Sequence, residues 1–71
     1  MESNFKISMA AARINAKKTQ AEVAAALKVS KQTVVSWENG KTSPTVEKAQ
    51  AFCDFCGAPY DAVSFLRQSA I

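Results

Sequence analysis

Apolar residues along this chain recur at three- and four-residue intervals, in short runs separated by capping and turn residues. That spacing is helical. Ser8 can cap a first helix running to about Ala16, with Met9, Ala12 and Ala16 on one face. Thr19-Gln20-Ala21-Glu22 has the form of a capping box, the threonine hydroxyl taking the Glu22 N–H and the glutamate reaching back. A second helix then extends to about Leu27 and buries Val23, Ala24 and Leu27. Lys28-Val29-Ser30 is a turn, and Ser30 caps a third helix with Val34 and Trp37 on its inner face. Asn39-Gly40 ends that helix. Ser43-Pro44 restarts the chain as N-cap and first helical residue, so a fourth helix presents Val46, Ala49, Phe52, Cys53 and Cys56 before stopping at Gly57. Pro59 opens a last short helix in which Tyr60, Val63 and Leu66 complete the core. The pattern predicts an all-α, compact five-helix domain.

Length agrees with one domain spanning residues 1–71, its ordered core at about 7–67 and its ends frayed. A chain this short buries only ~60% of its unfolded surface, so economical helical packing is expected. The net charge of +3 is unevenly spread: residues 1–42 carry +4 and residues 43–71 carry −1. One basic end suits a polyanion such as nucleic acid. Cys53 and Cys56 lie three apart, but the chain has no histidine and no second cysteine pair, so neither a metal site nor a cofactor is expected. They are expected as small core-side residues of a cytoplasmic protein. No apolar run approaches the ~18 residues of a membrane span. An enzyme is not indicated either, because histidine, a paired-carboxylate constellation and a glycine-rich phosphate loop are all missing.

Residues 19–40, TQAEVAAALKVSKQTVVSWENG, have the helix, turn, helix layout in which two axes cross at roughly 90–120°. Small residues around Ala24 permit the close crossing. The second helix of the pair projects Lys31, Gln32, Val35 and Ser36 outward, three of them hydrogen-bonding side chains of a length that reaches base edges. It has no Glu–Lys pair of the kind that decorates a merely solvated helix.

This stretch resembles the Cro and phage-repressor (lambda-repressor-like) helix-turn-helix family. Thr19, Gln20, Val23, Ala24, Val29, Ser30, Thr33, Val34, Trp37, Glu38, Gly40 and Pro44 match its core pattern, and the likeness extends from Arg13 to about Leu66. The resemblance implies a regulator, of repressor and phage or mobile-element type, that binds a double-stranded DNA operator. It further implies two symmetric half-sites and a homodimer at least on DNA. By position it implies base reading by Lys31, Gln32, Ser36 and Val35, with residues 30–39 in the major groove. Gln20, Ser30, Asn39 and Lys41 would grip phosphates, and Arg13 and Glu38 would form an ion pair between the first and third helices. A carboxylate in the last turn of a helix faces the negative end of the dipole, which is an independent reason for Glu38 to have a partner. Tyr60, Phe65 and Leu66 are candidates for a dimer surface. The chain departs from the family at Lys17 and Lys28, where glycine is usual; a left-handed backbone at either lysine costs ~1 kcal/mol. An antitoxin-like or accessory protein-interaction module on the same fold is the rival reading.

Overall fold

In the computed structural model, residues 6–65 are described. They form β1 (Ile7–Ser8), α1 (Met9–Asn15), α2 (Gln20–Leu27), α3 (Lys31–Glu38), α4 (Val46–Cys56), a 3-10 turn at Tyr60–Ala62 and β2 (Val63–Ser64). The fold is therefore mostly helical, with four α-helices rather than five. In place of a fifth α-helix, one 3-10 turn leads into an extended segment that pairs with β1 in parallel, Ile7 beside Val63 and Ser8 beside Ser64. The expectation of an all-α chain is corrected to that extent. Extended backbone turns Val63 into the core while Tyr60, expected inside, stays exposed and stacks on Phe65 at 5.6 Å between centroids. Leu66 lies outside the described residues.

Side-chain caps start each α-helix. Ser8 accepts the Ala11 N–H at 3.0 Å and Ser30 accepts the Thr33 N–H at 3.1 Å. The Thr19–Glu22 box is complete: Glu22 N–H donates to Thr19 Oγ1 at 3.0 Å and Thr19 N–H to Glu22 Oε1 at 2.7 Å. These bonds to the charged form hold the Glu22 carboxyl below its ordinary pKa, the backbone bond from Thr19 foremost. The fourth helix begins later than Ser43-Pro44 would have it. Thr45 is its cap and accepts the Lys48 N–H at 3.2 Å, which places Glu47 in the first turn, where the dipole favours a carboxylate. Val46 is then the first helical residue and is 73% exposed, not part of the core.

The four helices end alike. An N–H two or three residues past the last helical residue donates to a carbonyl five positions back, as in Lys18 to Arg13, Val29 to Ala24, Lys41 to Ser36 and Ala58 to Cys53. The residue before each donor is left-handed: Lys17 at φ 61°, Lys28 at 62°, Gly40 at 78° and Gly57 at 70°. Two of these positions thus carry a side chain where glycine is unstrained, partly offset by a cation at the negative end of a helix. Lys28→Gly is expected to raise stability by about 0.5–1 kcal/mol, relief of strain exceeding the extra entropy glycine gives the unfolded chain. A urea midpoint that falls instead would show the lysine contributing more than its backbone costs.

The core gathers Met9, Ala12, Val23, Ala24, Leu27, Val34, Phe52, Cys53 and Val63. Phe52, Val23 and Val34 are its innermost side chains, and Phe65 meets the Phe52 ring edge-on at 6.0 Å. Trp37 packs against this cluster but is half-buried, so Val34 alone of the α3 pair is fully inside. Ala16 and Cys56, both expected on inner faces, are half-buried as well. No α-helix among the described residues is long and apolar enough to cross a membrane.

Candidate nucleic-acid interface

The left-handed turn at Lys28 sets α3 across α2. Val23, Ala24 and Leu27 face Val34 across the junction, all buried. Lys48 on α4 secures the same turn from outside, its Nζ donating to the Leu27 carbonyl at 2.8 Å. No sequence signal marked that bond; it joins two residues 21 apart through a long side chain.

With Val34 directed inward, α3 turns Lys31 and Gln32 out in its first turn and Val35 and Ser36 in the next, positions i, i+1, i+4 and i+5 of one face. Lys31 and Gln32 are exposed; Val35 and Ser36 are half-buried. At the two ends of this face stand exposed residues, Ser30 before it and Asn39 and Lys41 after it. Ser30 Oγ lies 2.9 Å from Thr33 Oγ1 besides accepting the Thr33 N–H. Lys31, Gln32, Val35 and Ser36 therefore share a surface, and Ser30, Asn39 and Lys41 border it.

Gln20, the first residue of α2, is half-buried and turned toward α3: its Nε2 donates to Glu38 Oε1 at 3.0 Å. Arg13 approaches the same carboxylate from α1, with Nε 2.7 Å from Oε2 and Nη2 3.2 Å from Oε1. Its remaining nitrogen, Nη1, donates to the Lys18 carbonyl at 3.0 Å. The Arg13 and Glu38 side chains are 14% and 6% exposed, a shielded pair joining α1 to the end of α3. The Glu38 hydrogen bonds push the Arg13 pKa up, against the opposing effect of burial. The Gln20 link had no signal in the sequence, since it depends on which rotamer a polar side chain chooses.

Beside this network the Lys18 ammonium sits 4.9 Å from the Phe55 ring centroid. Burial pushes both cysteine thiols up, with Lys18 and Arg13 partly countering it at Cys56, so both stay protonated near neutral pH. Cys53 is a buried core residue. Among the described residues no three His, Cys, Asp or Glu side chains are grouped to hold a metal ion.

A capped helix, a three-residue turn and a second helix with an open polar face define this molecule as a helix-turn-helix domain. The chain belongs to the Cro and phage-repressor-type helix-turn-helix family, whose model matches residues 9–63. This is a DNA-binding family, typically without enzymatic activity, and its membership makes DNA the expected partner. No curated protein matches the chain.

Proposed function

We propose that this protein is a sequence-specific binder of double-stranded DNA acting as a transcriptional repressor of phage or mobile-element type. It binds as a homodimer to two symmetric half-sites, with α3 in the major groove. The observation that carries the reading is the outer face of α3, where Lys31, Gln32, Val35 and Ser36 stand together behind a fully buried Val34. Their chemistry suits base edges. Gln32 can pair bidentately with adenine, Lys31 can reach guanine acceptors, Val35 can meet a thymine methyl, and Ser36 can donate or accept. Ser30, Asn39, Lys41 and Gln20 grip phosphates around that face, Gln20 helped by the positive end of α2.

Reading and gripping separate experimentally. Gln32→Ala is expected to cost ~1–3 kcal/mol on the specific site and to relax preference at one base pair per half-site. It should hardly alter binding to random DNA, because a neutral side chain releases no counterions. Lys41→Ala should weaken all duplexes about equally and reduce the salt slope by ~1. Titrations of both variants on specific and random duplexes at two salt concentrations make the comparison. If neither variant changes binding, a protein-interaction role on the same fold becomes the better account.

A further inference from the structure

Glu38 is the meeting point of three helices, and its geometry constrains a side chain that the ion pair alone does not explain. Its carboxylate accepts three N–H bonds, two from Arg13 and one from the Gln20 amide. We infer that Glu38 is a positioning residue for DNA binding: it fixes the Gln20 side chain before DNA arrives, while Arg13 cancels its charge. This deepens the proposed function, since it rests on Gln20 as a phosphate ligand.

A carboxylate offers only acceptors, so the nitrogen end of the Gln20 amide must face it. The amide therefore cannot flip, and its second N–H and its oxygen are held in fixed directions. Glu38 is only 6% exposed, so water competes poorly for this bond. Gln20 also opens α2, where the first backbone N–H groups have no acceptor within the helix. An amide ordered there spares DNA binding the rotamer entropy of one long side chain, about 0.5–1.5 kcal/mol, or about 2- to 12-fold in affinity.

The charge balance points the same way. An uncompensated carboxylate next to a phosphate grip would repel the DNA backbone, and Arg13 removes that repulsion with two hydrogen bonds. Arg13 also holds the Lys18 carbonyl, next to the Thr19 cap of α2. The start of α2 and the end of α3 are thus registered against one carboxylate. A phosphate gripped by Gln20 is in turn registered to the helix that reads bases.

The test is a double-mutant cycle in DNA affinity, with Gln20→Ala, Glu38→Gln and the double variant, each checked as folded by far-UV circular dichroism. Glu38→Gln removes a negative charge and tightens DNA binding generally, but that effect is common to both backgrounds and cancels in the cycle. The expected result is a coupling of about 5-fold: Glu38→Gln weakens binding, relative to its effect in the Gln20→Ala background, only where Gln20 is present. Equal effects in both backgrounds would overturn the inference. So would a Gln20→Ala variant with unchanged affinity, while a retained Gln32 and Lys41 phenotype would leave the proposed function standing. Should Glu38→Gln fail to fold, side-chain amide relaxation of the parent protein decides. An order parameter for Gln20 Nε2 near the ~0.85 of rigid backbone supports the positioning, and one below ~0.6 overturns it.

Discussion

Phe52→Ala is expected to be the most destabilising single truncation in the core. Phe52 has no exposed surface, lies at the centre of α4, and meets Phe65 edge-on. Truncating a buried phenylalanine costs ~3–5 kcal/mol, the lost transfer free energy plus the cavity it leaves. Total stability scales as ~0.05–0.15 kcal/mol per residue, so a chain of 71 residues holds roughly 4–10 kcal/mol. One substitution therefore removes between about a third and all of it. Urea melts followed by circular dichroism would register the loss as a collapsed midpoint. A midpoint close to that of the parent would mean that the domain is held elsewhere than on α4. Trp37→Ala is expected to cost less, because that ring is half-buried at the margin of the core.

Glu38→Ala is expected to be the most damaging change outside the apolar core, at about 3 kcal/mol. It strands the Arg13 guanidinium, which is 14% exposed and directed at the vacated position. It also frees the Gln20 amide. Arg13→Met with Glu38→Ala together should cost less than the two single changes summed, because neither then leaves a shielded charge unpaired. The expected coupling is about 1–3 kcal/mol, read as the non-additivity of unfolding free energies. A coupling near zero would reduce the pair to a contact without weight in folding. This measurement concerns stability and is separate from the coupling in DNA affinity between Gln20 and Glu38.

The sequence made the centre of the fold legible and its edges much less so, for a physical reason. From Thr19 to Gly40 every boundary is local: Thr19 and Glu22 are three apart, Ser30 caps within its own turn, and Gly40 comes one residue after the Asn39 cap. Local hydrogen bonds leave local signatures. The start of α4 was expected at Ser43-Pro44, but the cap is Thr45, two residues on; both residues carry a hydroxyl, so residue type does not separate them. Val46 is at helical spacing from Ala49 and so looked buried, but it opens the first turn of α4 and is exposed. The β1–β2 pairing was invisible, since two-residue strands have no period to detect and their partners sit at opposite ends of the chain. The outer face of α3 could be located from the inward direction of Val34. The turn of Gln20 toward Glu38 could not, because it is a rotamer choice rather than a pattern.

The parallel clasp between Ile7–Ser8 and Val63–Ser64 has a bearing on how the protein is made. A ribosome delivers α2 and α3 well before it delivers β2, so the emerging chain carries α3 at a time when the strand that closes the core does not yet exist. Val63 fills a fully enclosed place in the core, and until it has cleared the exit tunnel that place is open. Helices α2 and α3 can assemble on their own local contacts in that interval, before the core is closed. Closure of the core therefore waits for β2. A polypeptide released early, or clipped between Gly57 and Val63, keeps α2 and α3 whole and still lacks the residue that fills the core beside them.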